Sequence, residues 1–240
     1  HIGTGNYNPD TARVYEDIGL LSADPDLGAD LSQLFNYLTG YSERSRYARL
    51  LVAPTTLRTE LIRLIREEAG RSEGRIVMKV NNLSDVKIVE ALYEASAAGC
   101  SIDLVVRSIC TLRPGVSGLS ENVRVRSIVG RYLEHSRIFR FGRGNKARWY
   151  IGSADMMTRN LDDRVEAVTP VTDPALTKRL AEIVEVNLAD DTLAWELLAD
   201  GSWRKLHPSG EPGTGVHAQR RLQELAEKRS GLKVRKEVRP

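Results

Sequence analysis

The stretch Arg131-Tyr132-Leu133-Glu134-His135-Ser136-Arg137 sets an imidazole and a guanidinium two residues apart, a spacing that puts both on one face of a strand. An imidazole takes up and releases a proton near neutral pH. A guanidinium offers phosphate oxygens a planar fork of donors. Twenty residues after His135 comes Asp155, in the segment Ile151-Gly152-Ser153-Ala154-Asp155 where a strand turns. Paired strands over 136–141 and 147–151, around the turn Gly142-Arg143-Gly144-Asn145, would bring His135 and Arg137 beside Ser153 and Asp155. A proton-transfer group, a cation, a hydroxyl and a polar end group together make a phosphate-sized pocket. Two further arginines stand at element ends: Arg107 closes the alternating strand of Ile102, Leu104 and Val106, and Arg164 follows a turn. Each residue alone has an ordinary reading, a hairpin histidine or a surface ion pair; the joint pattern favours phosphate chemistry.

The turn recurs near the start. Ile2-Gly3-Thr4-Gly5-Asn6, followed by Arg13-Val14-Tyr15-Glu16, resembles Ile151-Gly152-Ser153-Ala154-Asp155 followed by Arg164-Val165-Glu166. In this matching Arg13 and Arg164 lead the returning strands. Around these turns the apolar spacing predicts a helix over 29–38, with Leu31, Leu34, Phe35 and Leu38 on its face, and a second over 56–69. A third runs from an N-cap at Ser84 to Ala98, and a fourth over 174–188 is opened by Asp173 and Pro174. Strands are expected over 75–80, 102–106, 123–129 and 165–171. Alternating strands and helices predict an α/β layered fold from about 50 to 205. The Pro- and Gly-rich 207–215 reads as a linker, 216–229 as a charged helix and 233–240 as a basic tail. The composition of this end predicts partial disorder.

Of 240 residues, 41% are hydrophobic and 28% charged, an ordinary balance for a globular domain. No run approaches the roughly 20 apolar residues of a membrane span. The two cysteines, Cys100 and Cys110, lack metal-ligand or disulfide spacing and favour a reducing, cytoplasmic setting. Net charge is only +3, but arginine dominates the 35 basic residues, which suits a polyanion partner. The opening His1-Ile2-Gly3-Thr4-Gly5 is a turn that normally follows a strand, so the chain reads as starting inside a domain.

A histidine and cation two apart, followed by Gly-Ser-x-Asn, is the signature of the phospholipase D superfamily, in which two such halves face each other across one site. Within it, 1–8, Arg131 to Arg137, Asn81-Asn82-Leu83 and Ser153 to Asn160 resemble the long, phosphohistidine-forming polyphosphate kinases. The resemblance runs from His1 to about residue 190. It implies a phospholipase D-like layered sheet flanked by helices, with the second half complete and the first truncated. Residues 1–49 would end the first catalytic domain, 50–205 form the second, and 206–240 follow as linker, helix and tail.

The resemblance also implies reversible transfer of the ATP γ-phosphoryl group to inorganic polyphosphate through a phosphohistidine, with Mg2+. The attacking histidine and the magnesium ligands would lie outside this chain. Tyr15 resembles the aromatic that contacts the nucleotide, Arg107 and Arg164 the phosphate-binding arginines, and His135 the second-half histidine. Arg137 would hold phosphate between the two histidines, and His1, Asn6, Ser153 and Asp155 would line the site. Asp155 could contact a metal or restrain His135, and the sequence leaves both open. Partners would be ATP, ADP and polyphosphate, with no nucleic acid, and the intact enzyme a homo-oligomer. Two departures count against a phosphodiesterase of the same fold: Arg137 replaces the superfamily lysine, and Gly142 stands where an acid is expected. A third reading is a binding module for ATP or polyphosphate, inactive by itself.

Overall fold

The computed structural model describes residues 1–5, 7–41, 46–209 and 214–231. The chain begins with β1 (Ile2–Gly3), α1 (Pro9–Ala12), β2 (Tyr15–Glu16), β3 (Gly19–Leu20) and α2 (Pro25–Leu38). There follow β4 (Leu51–Ala53), α3 (Leu57–Ala69), β5 (Arg75–Val80), α4 (Val86–Ala97), β6 (Ser101–Val106) and β7 (Val123–Ile128). Next come β8 (Leu133–Glu134), β9 (Ile138–Phe141), β10 (Arg148–Gly152) and β11 (Glu166–Val171). The described chain closes with α5 (Pro174–Ala189), β12 (Ala194–Leu197), β13 (Trp203–Lys205) and α6 (Ala218–Ser230).

A nine-stranded mixed sheet in the order β13-β12-β7-β6-β5-β9-β10-β11-β4 organises these elements. Strands β5, β6 and β7 are parallel, and their side chains alternate between two buried faces. Ile76, Met78 and Val80 of β5 pack with Leu57, Leu61, Leu64 and Ile65 of α3 and with Ile88 and Leu92 of α4. Val77 turns to the other face, with Trp149, Ile151 and the α5 residues Leu180, Ile183 and Val184. The α/β architecture expected from the alternation is the one observed. The hairpin of β9 and β10 pairs Ile138 with Ile151 and Phe141 with Arg148. Its turn uses Gly142 at φ +101°, backbone that favours glycine.

Several expectations shift. Helix α2 starts a turn earlier than predicted, because Asp24 caps it by accepting from the Asp26 and Leu27 amides ahead of Pro25. Its inward side chains are Leu27, Asp30 and Leu34, while Phe35 and Leu38 are exposed. The cap of α4 is Asp85, not Ser84; its carboxylate accepts from the Ile88 amide. Strands β4, β12 and β13 went unread because each spans only three or four residues. The helix read near 216–229 forms and packs beside α5, with Ala218 and Gln219 buried, rather than remaining unstructured. The basic tail 233–240 lies outside the described residues.

Candidate functional site

Two pairs of very short strands build the site at one end of the sheet. Strand β2 runs parallel to β8, with the Leu133 amide donating to the Val14 carbonyl and the His135 amide to the Glu16 carbonyl. Alternation then decides the chemistry. Tyr15, Asp17 and His135 share the outer face, where the Tyr15 and His135 rings lie 4.7 Å apart. The Asp17 carboxylate is 3.0 Å from His135 Nδ1. A carboxylate only accepts, so in the neutral ring Nδ1 carries the hydrogen and Nε2 keeps its lone pair.

From His135 a continuous polar chain crosses the site. Arg137 Nη2 lies 3.4 Å from His135 Nε2 and donates to Asp155 at 3.0 Å. Its Nη1 donates to the Thr4 carbonyl at 2.6 Å. Asp155 also accepts from the Asn81 amide at 2.8 Å, and the Asn81 side-chain oxygen takes the Arg107 Nε–H at 2.9 Å. Burial pulls the Asp155 carboxyl upward, and Arg137 with the Asn81 and Asn82 donors more than offsets it, holding it below its ordinary value of 3.8. Asp155 therefore acts on His135 through Arg137. The predicted grouping of His135, Arg137 and Asp155 forms, and Arg107 joins it through Asn81.

Ser153 turns aside: its hydroxyl donates to Glu166 Oε2 at 2.5 Å and accepts from the Ala167 amide at 3.2 Å. Thr4 repeats that geometry, donating to Asp17 at 2.9 Å and accepting from the Ile18 amide at 3.0 Å. Gly3 pairs with Gly19 as Gly152 pairs with Val168. The internal repeat is thus written in hydrogen bonds, but in another register. Asp17 is the counterpart of Glu166, which makes Tyr15, not Arg13, the counterpart of Arg164. Matching the arginines slipped the returning strand by two residues, which sets Tyr15 rather than Asp17 opposite Glu166. In the first copy Gly5 leaves room for the Asp17 carboxylate, because a Cβ there would meet Asp17 Oδ2 at 1.9 Å.

Arg164 is more than half exposed, with its guanidinium 3.8 Å from Glu166. His1 stacks edge-on with Tyr7, its Nε2 3.1 Å from the phenol, and among the described residues it makes no contact with the His135 chain. Asn6 lies outside the described residues.

Beneath the outer face, the buried Lys79 ammonium sits between Glu16 at 2.9 Å and Glu134 at 2.5 Å. Ser136 donates to Glu16 and Gln219 to Glu134. Burial alone would disfavour every charge here. The two carboxylates keep Lys79 firmly protonated, and Lys79 in turn holds Glu16 below its ordinary range. Burial and the Glu16 charge push Glu134 the other way. Sequence reading quoted Asn81 only within a resembling stretch, without a site role, and missed Asp17 and this cluster. The available signals were a lysine inside the apolar strand Arg75–Val80 and the alternation flanking Tyr15 and His135.

No magnesium site is assembled among the described residues. Among the described residues no group of three or more His, Cys, Asp or Glu converges, and the nearby carboxylates are engaged by Arg137, His135, Ser153 and Asn160. No helix is long and apolar enough to cross a membrane, among the described residues.

Comparison with known proteins gives the family. Residues 50–219 match the family model described as polyphosphate kinase C-terminal domain 2, and residues 1–44 match C-terminal domain 1. A polyphosphate kinase of Thermosynechococcus vestitus is 53% identical over 223 residues, covering 91% of this chain and 30% of the relative. One of Streptomyces coelicolor is 52% identical over 94% of this chain and 30% of its own length. The crystal structure of the polyphosphate kinase from Porphyromonas gingivalis superposes with a TM-score of 0.86 at 39% identity, covering 96% of this chain and 36% of that one. The chain thus spans about 30% of the curated relatives it matches. It belongs to the polyphosphate kinase family.

Proposed function

We propose that this chain forms one wall of a phosphotransferase site that moves the γ-phosphoryl group of ATP to polyphosphate, reversibly. The observation that carries this reading is the polar chain from Asp17 through His135, Arg137 and Asp155 to Asn81 and Arg107. Phosphoryl transfer asks mainly for cations and positioning around equatorial oxygens. Arg107, Arg137 and Arg164 supply guanidinium groups. His135, oriented by Asp17, takes a second proton on Nε2, and as the imidazolium it hydrogen-bonds or protonates a departing phosphate oxygen through that Nε2–H. Tyr15, its ring tilted against that of His135, receives the nucleotide. The attacking histidine comes from outside these 240 residues, as do the ligands of the magnesium ion that accompanies ATP. The working enzyme is a cytoplasmic homo-oligomer that takes no nucleic acid, in which residues 1–49 end the first catalytic domain, 50–205 form the second, and 206–240 follow as linker, helix and tail. Ser153 and His1 line the approach.

The Gly142 conformation supports phosphotransfer over phosphodiester hydrolysis, since an acidic side chain at φ +101° would be strained. The test is calorimetric titration of the chain with polyphosphate and with ATP plus magnesium, beside a His135→Ala, Arg107→Ala double variant. Saturable binding lost in the variant is expected. Equal binding by both proteins would remove the site from these residues. Incubation with labelled ATP is expected to leave no phosphohistidine on this chain alone.

A further inference from the structure

A two-residue parallel pair such as β2 with β8 cannot hold its own position, yet it carries Tyr15, Asp17 and His135. Its hydrogen bonds to neighbours must fix it. On the side away from β2, the Gln219 side chain supplies them. Gln219 Oε1 accepts from the Tyr132 amide at 3.0 Å, and Nε2 donates to the Tyr132 carbonyl at 2.7 Å. Its second amide hydrogen reaches Glu134 Oε1 at 2.9 Å.

The side chain therefore stands in for one residue of a neighbouring strand, satisfying both backbone groups of Tyr132. It also grips Glu134, which pairs with Lys79 and, through it, with Glu16. Both amide hydrogens are engaged, and Gln219 is only 6% exposed. The site is shaped for this residue from the other side as well. A Cβ on Gly130 would meet Gln219 Oε1 at 2.6 Å, so glycine leaves room for the amide.

We propose that Gln219 is a positioning residue for His135: the last helix latches strand β8 and so fixes the imidazole against Asp17 and Arg137. The residue touches neither His135 nor any reacting atom. It acts through Tyr132 and Glu134, three and one residues before the histidine. Its catalytic consequence rests on the kinase reading above, while the imidazole geometry does not.

The test reads the imidazole directly. The chain, with its four histidines labelled with nitrogen-15 and His135 assigned through His135→Gln, gives ring spectra that report the tautomer. Wild type is expected to show His135 with the hydrogen on Nδ1. In Gln219→Leu the two tautomers should come within about threefold of each other, as the Asp17 hydrogen bond loosens. Gly130→Ala should reproduce that change without altering Gln219, and the double variant should add little to either. Leu222→Ala is the control, because Leu222 packs α6 onto the α5 side of the sheet with no bond to β8. The proposal is overturned if Gln219→Leu melts lower with unchanged His135 resonances, or if Leu222→Ala shifts them equally. Polyphosphate titration of the same samples reports separately on the functional reading. Failure of wild type to bind would count against that reading while the ring spectra still decide the latch.

Discussion

Two copies of one small device flank the site, and they differ in what their carboxylates serve. In both, a glycine pairs across a hairpin, the next hydroxyl residue caps the returning strand, and a carboxylate binds the hydroxyl. In the first, Asp17 goes on to orient His135. In the second, Glu166 takes the Asn160 side chain at 2.8 Å and lies beside Arg164. The backbone unit is shared and the terminal partner is free to change. A repeated hydroxyl–carboxylate pair is thus a mount, and its function depends on which group is brought to it.

Equivalent mounts should have equivalent effects if each holds an imidazole in the working enzyme. Asp17→Asn and Glu166→Gln, made in the enzyme that carries this chain, should each lower kcat for polyphosphate synthesis by about 10²–10⁴-fold, because an amide supports the wrong tautomer. The ATP KM should stay within about threefold. A loss below about tenfold for Glu166→Gln alone would show that the second mount only packs Asn160 and Ser153.

The Asp155–Arg137 pair joins the two mounts, since Arg137 also donates to the Thr4 carbonyl. Asp155→Ala leaves a buried guanidinium unpaired and should cost about 3–5 kcal/mol of stability in urea denaturation. Its acid dependence has a definite sign. The folded-state pKa of Asp155 lies below the ordinary 3.8, so its contribution is complete above that value and disappears as pH falls through the lower one. Asp155→Asn should therefore flatten the acid limb of the stability curve below about pH 4. An unchanged limb would mean that other carboxylates dominate acid unfolding.

Much of this was legible in the sequence because period-2 spacing is a local rule. His135 with Arg137, the β9–β10 hairpin and the apolar faces of α3 follow from it directly. What lay hidden was non-local. Asp17 meets His135 across 118 residues and Lys79 meets Glu16 across 63, and no spacing announces such a pair. The repeat was visible, but its register was not, because the matched arginines sit two residues out of step and set Tyr15, rather than Asp17, opposite Glu166. Gln219 was hidden for another reason: its segment is charged and follows a Pro- and Gly-rich stretch, features that ordinarily mark a loose end.

The corrected register leaves one contrast open to a gentler test. Tyr15 and Arg164 occupy corresponding positions, one presenting a ring and the other a guanidinium. If the two mounts divide the substrate between nucleotide and phosphate, the variants should separate by ligand. Tyr15→Ala should weaken ATP binding by about 1–3 kcal/mol, the usual worth of stacking a base on an aromatic ring, and leave polyphosphate affinity alone. Arg164→Ala should weaken polyphosphate binding and reduce its dependence on salt, because one fewer cation displaces counterions. Its effect on folding should be under about 1 kcal/mol, since the guanidinium is exposed and its carboxylate neighbour is distant at 3.8 Å. Calorimetric titrations at two salt concentrations, with urea melts of the same samples, check all three. Equal losses for both ligands in both variants would mean that the two mounts act on one shared phosphate, and the division between ring and guanidinium would fall.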